Sequence, residues 1–362
     1  MKRILILVIV LSSLFPSSNQ GLTHNSQNVP DPDYLSPVEI QGKLSYINAK
    51  GEVKITTGFA IDLSFKPLRY TRYNFSEGLA VIPDRIKAGF LSGWSKMMII
   101  NGQGERVLQT PYRWIGEFHD GFTQFYKREY YFFFFSRKIY GYLDRDGKTV
   151  IEPKFDYAGQ FNDGMAKIIV DDKHGYINAS GEIVIKPIFE DSFHFSEGLA
   201  SVRLNGKFGY INKSGEFLIP PEYDKAWPMD KGLGRVLLNN RVGFIDNQGK
   251  VVIKPSFTYA SDFRDGLAMV NADGKIGYIN LSGEFIIEPT YDTGSEFRQG
   301  RALIKMDEKY GFINTRGELV IENIYEDASG FFPNGLALVK KTGLDYYIDI
   351  DGNTVMNLKN NQ

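Results

Sequence analysis

The chain has 362 residues, 42 Lys and Arg against 43 Asp and Glu, and a formal charge of −1. That balance supplies no basic footprint for nucleic acid. There is no cysteine, which excludes disulfides, thiolate chemistry and the processed cysteine of a bacterial lipoprotein.

From the N-terminus, Lys2 and Arg3 precede an apolar run from Ile4 to Phe15, and Pro16, Ser17 and Ser18 follow. Residues 1–20 read as a signal peptide. The run is shorter than the ~20 residues that a hydrocarbon core of about 30 Å requires. Cleavage is expected between Ser18 and Gly21, leaving a mature chain without a membrane span in a periplasmic, cell-envelope or secreted location; the alternative is an uncleaved anchor. Residues 21–37 are polar with Pro30, Pro32 and Pro37, the composition of a flexible linker.

Beyond the linker the chain repeats. A glycine followed by Tyr or Phe stands at Gly141, Gly175, Gly209, Gly243, Gly277 and Gly311, a constant spacing of 34. A fixed period of this size marks a repeat array. Residues 141–357 hold the regular repeats and a C-terminal half repeat, and residues 38–140 hold degenerate copies with an aromatic insertion.

Each unit opens with a strand such as Gly175-Tyr176-Ile177 and turns through Asn178-Ala179-Ser180-Gly181. The [Asn/Asp]-x-x-Gly pattern returns from Asn48 to Asp349 and suits a type I turn closed by a left-handed glycine. A second, continuously apolar strand follows, such as Ile183-Val184-Ile185. Such a strand is expected to be covered on both faces. Pro153, Pro187, Pro221, Pro255 and Pro289 are expected to end it, since proline donates nothing to a ladder. A linking stretch carries large apolar residues (Phe155 and Phe161, Phe189 and Phe195). A third strand then returns through Asn205-Gly206, Asn239-Asn240 or Asp273-Gly274, all two-residue hairpin turns.

The fold class is all-β: about eight to nine 34-residue, three-stranded β-meander repeats in an open, solenoid-like stack. The end hairpins duplicate rather than complement each other, and degenerate first units suit a cap. A β-propeller is the alternative.

The strings GKIGYINLSGEFIIEPTYD and FSEGLASV resemble the bacterial WG-repeat (KWG-repeat) family. The resemblance runs from Gly141 to the C-terminus, with outlying copies at residues 42–83 and 91–125. It departs at the signature tryptophan: the residue before the anchor glycine is Tyr140, His174, Phe208, Val242, Ile276 or Tyr310. The resemblance implies a β-rich bacterial repeat protein, often exported.

The candidate chemistry is sparse. Asp144-Arg145-Asp146-Gly147 and Asp349-Ile350-Asp351-Gly352 contain a fragment of calcium loops, but they stand where every unit has its turn. His24, His119, His174 and His194 lack metal-ligand spacing. Glu77, Asp120, Asp163, Glu197 and Asp265 precede the second glycine of their units and recur too regularly for an active site; they read as solvated turn residues. No catalytic residue, metal or cofactor is expected.

Two places suit a partner. One is the insertion Tyr126–Tyr142, which contains Tyr130, Tyr131, Phe132 and Phe134 with Lys127, Arg128, Arg137 and Lys138 around them. The other is a row at the tenth place after the turn glycine: Tyr157, Asp191, Lys225, Tyr259 and Thr293. Variable positions of this kind are where repeat arrays place specificity. The expected function is a non-catalytic exported scaffold that binds a protein or glycan partner over an extended surface. The alternative is an enzyme or carbohydrate-processing module with its site near residues 126–142.

Overall fold

The computed structural model describes residues 35–40, 43–48, 50, 52–60, 75–83, 96–131, 135–332 and 335–357. Residues 1–20, read from the sequence as a signal peptide, and nearly all of residues 21–37, read as a linker, lie outside them, as do His24, Phe132 and Phe134. All regular elements among the described residues are β-strands. They form nine antiparallel sheets of three or four strands, none closed into a barrel. The all-β repeat array expected from the spacing is therefore present. No helix among the described residues is long and apolar enough to cross a membrane.

The chain divides into two compact units. The central unit comprises residues 75–85 and 91–256, and the terminal unit comprises residues 1–74, 86–90 and 257–362. The same repeat builds both.

One repeat of the central unit shows the plan. Its strands are Tyr157–Asn162, Met165–Val170, Lys173–Asn178 and Ile183–Phe189, paired in that order. The linking stretch, expected as a connection, is thus a fourth strand on the far side of the meander. The turn between the last two strands behaves as its residues require. Asn178 Oδ1 accepts the amides of Ser180 (3.1 Å) and Glu182 (3.0 Å), and the Gly181 amide donates to the Asn178 carbonyl at 2.9 Å. Gly181 has φ +81°, a conformation that glycine adopts without a Cβ penalty. The Asn178 side-chain Nδ2 donates to the Glu182 carboxylate at 2.8 Å. Where Asp replaces Asn, it has no side-chain amide to offer a glutamate, and the chain supplies Lys148, Lys250 or Asn353 instead. The carboxylates of Asp144 and Asp349 likewise accept turn amides, so both calcium-like fragments have an ordinary turn role.

Proline does not end the second strand, contrary to expectation. The strand Ile183–Phe189 runs through Pro187 and pairs again at His174↔Phe189 after a register shift from Tyr176↔Ile185. Pro187 sits at this bulge, where no ladder bond is lost. The bulge also explains the anchor glycine. A Cβ on Gly175 would stand 2.6 Å from the Ile185 carbonyl oxygen and 2.7 Å from the Pro187 nitrogen.

The second expectation that fails is cover on both faces of that strand. Ile183 and Val184 are 47% and 41% exposed, and Val251, Ile286 and Leu319 are similarly open. Ile185 is the buried residue of its run, and it packs under the turn glycine of the next repeat, Gly215.

Neighbouring sheets join through aromatic wedges. The Tyr176 and Phe195 rings meet edge-on at 4.8 Å, as do Tyr142 with Phe161 and Tyr278 with Phe297. A buried phenol needs an acceptor. The hydroxyls of Tyr142, Tyr176 and Tyr210 donate to the carbonyls of Gly159, Phe193 and Trp227 at 2.6–2.7 Å, and Tyr278 donates to Ser295 at 2.9 Å.

The acidic residues before the second glycine are not merely solvated. Asp120 accepts the amide of Gly164 (3.1 Å), Asp163 that of Gly198 (2.7 Å), and Glu197 that of Gly232 (2.9 Å). In the terminal unit Asp265 accepts the Gly300 amide at 2.6 Å. Each acid has φ of 50–54°, which aims its carboxylate at the following repeat. They are inter-repeat clasps.

Candidate partner-binding edge

The residues at the tenth place after each turn glycine occupy equivalent positions in their sheets. Tyr157, Asp191, Lys225, Tyr259 and Thr293 each begin the first strand of a sheet. Each pairs with the strand that follows it: Tyr157↔Ile169, Asp191↔Arg203, Lys225↔Leu237, Tyr259↔Asn271 and Thr293↔Lys305. The first three belong to the central unit, and Tyr259 and Thr293 to the terminal unit. Tyr157 and Tyr259 are 40% and 46% exposed.

The aromatic insertion is a hairpin of two ten-residue strands, Phe122–Tyr131 and Phe135–Asp144. The corresponding strands of the next sheet have six residues each. Tyr126 lies directly across from Tyr140, and Arg128 across from Lys138. Side chains two apart share a face, so Tyr126, Arg128, Tyr130, Lys138 and Tyr140 lie together. Tyr130 is 72% exposed. Tyr131 closes the hairpin opposite Phe135.

Trp114, which sequence reasoning missed, completes this surface. It stacks on Tyr126 at 5.6 Å and 23°, and meets Tyr140 edge-on at 6.0 Å. Tyr140 continues to Tyr157 at 5.7 Å. Lys138 Nζ lies 4.6 Å over the Tyr126 ring and Lys167 Nζ 5.6 Å over Tyr157. The signal was present: Trp114 is the tenth residue after the turn glycine Gly104, and so a member of the row.

The pattern of ring and cation continues through the central unit. Arg203 lies 6.0 Å over Phe208. Trp227 has Lys225 at 5.0 Å and Arg235 at 4.4 Å. Cation–π contacts of this sort contribute ~0.5–1 kcal/mol at exposed sites. Here they also hold the rings in place.

Two places past the row residue, the units diverge. The central unit has Gly159, Phe193 and Trp227, whereas the terminal unit has Ser261, Ser295 and Ser329. The Ser261 hydroxyl accepts the Met269 amide (3.0 Å) and donates to the Asp262 carbonyl (2.8 Å). Ser295 does the same with Leu303 and Glu296, and Ser329 accepts the Leu338 amide. The serines turn back onto their own sheets.

Within the central unit, Lys167, His174, Asp191 and Ser192 come close enough to test for catalysis. His174 Nδ1 and Ser192 Oγ share a hydrogen bond at 3.1 Å, but the same nitrogen faces Asp191 at 3.9 Å. A relay needs the two imidazole nitrogens to face different partners. Ser192 is 2% exposed, and Lys167 donates to its carbonyl rather than its hydroxyl. Burial lowers the Lys167 pKa, opposed by Asp191. Burial also lowers the pKa of His174, and Lys167 adds to the effect. His194 follows the same logic, with burial first and then Lys167. The two carboxylates beside the hairpin, Glu129 and Asp156, are both engaged by Arg137, at 2.7 and 3.4 Å.

A family model for WG-containing repeats matches residues 140–173, 175–208, 208–241, 243–275, 276–310 and 310–344. No curated protein matches the chain in sequence. In structure the chain is similar to a crystal structure of a eukaryotic initiation factor, with TM-score 0.62 and 10% identity, covering 90% of this chain and 95% of that one. At that identity the likeness concerns the fold alone. AztD of Citrobacter koseri is also similar, with TM-score 0.36 and 12% identity over 90% of this chain and 93% of that one.

Proposed function

Since the chain belongs to the family of WG-containing repeats, we propose that it is a non-catalytic exported scaffold that holds a protein or glycan partner along the central unit. The observation that carries this reading is the row of partly exposed rings with cations over them, from Trp114 through Tyr126, Tyr140 and Tyr157 to Trp227. Rigid aromatic side chains and arginine are the residues that anchor interfaces. The acids and bases nearby are tied to turns, clasps or one another, which supports a role without catalysis.

Export rests on the signal-like residues 1–20. Mass spectrometry of the native protein tests it: a mature N-terminus between Ser18 and Gly21 is expected, and an intact Met1 in a cytoplasmic fraction would refute it. The binding role is tested with the mature chain and a variant lacking Tyr126–Lys138, each used to retain partners from envelope and matrix fractions. The deletion should lose partners while the regular repeats keep their thermal transition. If neither this deletion nor Trp227→Ser changes what is retained, the scaffold reading fails.

A further inference from the structure

The edge of the long hairpin is an open sheet edge with an ordered polarity. In the regular repeats the first strand covers the edge of the second, as Tyr157–Asn162 covers Met165–Val170. In the hairpin sheet the linking stretch reaches only as far as the bridge Ile115↔Phe125. There the Gly116 amide donates to the Gln124 carbonyl at 2.8 Å. The chain on the other side of Trp114 has already turned away, since the Tyr112 carbonyl accepts the Met97 amide at 2.8 Å. Among the described residues, no strand lies along Tyr126–Tyr131 on the side away from Phe135–Ile139.

Antiparallel pairing alternates residues whose N–H and C=O face the partner strand with residues whose groups face outward. The Gln124 carbonyl faces outward, toward Gly116. The same period turns the backbone groups of Tyr126, Arg128 and Tyr130 outward as well. These residues also carry the side chains of the ring-and-cation face. Arg128 is held by Ser136 at 3.2 Å, and Lys138 stands directly opposite it. Of the charged side chains from Lys127 to Lys138, four are cationic (Lys127, Arg128, Arg137, Lys138) and one, Glu129, is anionic. Glu129 is already paired with Arg137.

We propose that an extended acidic peptide adds to this edge as a further strand, continuing the line of the linking stretch beyond Trp114. The proposal rests on the scaffold reading and names the partner class. Its backbone would bond to the Tyr126 carbonyl and to the N–H and C=O groups of Arg128 and Tyr130. Its alternate carboxylates would sit on the ring-and-cation face beside Arg128 and Lys138, with their methylene stems against Tyr126 and Tyr130, and its intervening side chains would point to the opposite face. A glycan would use the rings and cations but would have no use for a ladder of main-chain groups. The open ladder is what favours a peptide.

The test uses the full mature chain, fluorescence polarisation, and labelled ten-residue peptides that alternate Glu with Val, Thr or Tyr. Matched peptides carry Lys in place of Glu, or N-methyl groups on one or the other alternate set of amides. Sodium alginate serves as the polyuronate probe. Acidic peptides should bind, and Lys peptides should bind at least tenfold more weakly. N-methylation of one alternate set should abolish binding while the other set is tolerated. Arg128→Pro removes an outward N–H at an edge, where proline is sterically accepted, and should weaken binding at least tenfold. Arg128→Ala keeps that N–H and should lose less. Hydrogen exchange of the neighbouring sheets confirms that each variant is folded. Equal tolerance of both N-methyl sets, or binding unchanged by Arg128→Pro, overturns strand addition and leaves the scaffold reading standing. Binding of alginate without peptide overturns it in favour of a glycan. Binding of no probe reduces Lys127 and Arg128 to guards against aggregation and also overturns it; the partner-retention experiment alone then decides the scaffold reading.

Discussion

The central and terminal units are built from one repeat and finished differently. Where the central unit has Phe193 and Trp227, the terminal unit has Ser295 and Ser261, whose hydroxyls close on the backbone of their own sheets. The backbone carbonyl at this place accepts a buried tyrosine hydroxyl in both, at Trp227 and at Ser295. The scaffold therefore depends on the main chain at this position and leaves the side chain free to vary. Recognition can be added or removed there without touching the joint.

The largest effect should be the one the two units share. Gly209→Val in the central unit and Gly277→Val in the terminal unit each place a Cβ within 2.8 Å of a backbone oxygen across the bulge. Each should cost ~4 kcal/mol or abolish folding, measured by denaturant unfolding. A unit that tolerates the change would show that the bulges differ. Next comes Tyr210→Phe, which removes the hydroxyl that donates to the part-buried Trp227 carbonyl. A loss of about 1–1.5 kcal/mol is expected, and Tyr278→Phe should match it.

Acid should separate the units. His119, His174 and His194 all belong to the central unit, and burial lowers the pKa of each. A histidine held below its unfolded value of about 6.5 resists protonation when folded. Its contribution to stability is complete above about pH 6.5 and is lost as pH falls below it. Hydrogen exchange across pH 7 to 5 should show the central unit loosening first, since the described terminal unit contains no histidine. Replacing His194 with Gln should narrow the gap, and equal loosening in both units would sink the idea.

The smallest stability change should come from exchanging the finishes. Trp227→Ser gives a central repeat the terminal choice and should cost about 1 kcal/mol or less. Partner binding should fall at least fivefold. Stability lost without a change in binding would make Trp227 a packing residue.

Much of the scaffold was legible because its marks are conformational. The turn needs Asn or Asp and a left-handed glycine, the bulge needs a glycine at its closest approach, and the hairpins need residues such as Asn, Asp or Gly that accept positive φ. Each leaves the same kind of residue at the same interval. The equivalence of the tenth places was legible too, and Trp114 escaped only because its unit is irregular between Gly104 and Gly147. What could not be read was direction. Asp163 and Asn162 both look like turn residues in sequence, and only φ of 54° at Asp163 aims its carboxylate at Gly198. Nor does a run such as Ile183-Val184-Ile185 say which of its residues a neighbour will cover. Pro187 was recognised as a residue without a donor, but not as one placed where no donor is used.

The carboxylate-to-glycine clasp has a consequence for how such a chain can change length. Donor and acceptor lie 35 residues apart at Asp163 and Gly198, at Glu197 and Gly232, and at Asp265 and Gly300. The repeats holding Asp163-Gly164 and Glu197-Gly198 each offer an acid forward and a glycine backward. A duplicated or deleted block of 34 residues taken from repeats of this kind would regenerate the same junction on both sides of the cut. Gene-level slippage could then alter copy number without a compensating substitution. Lineages carrying this repeat should differ in whole multiples of it far more readily than in fractions.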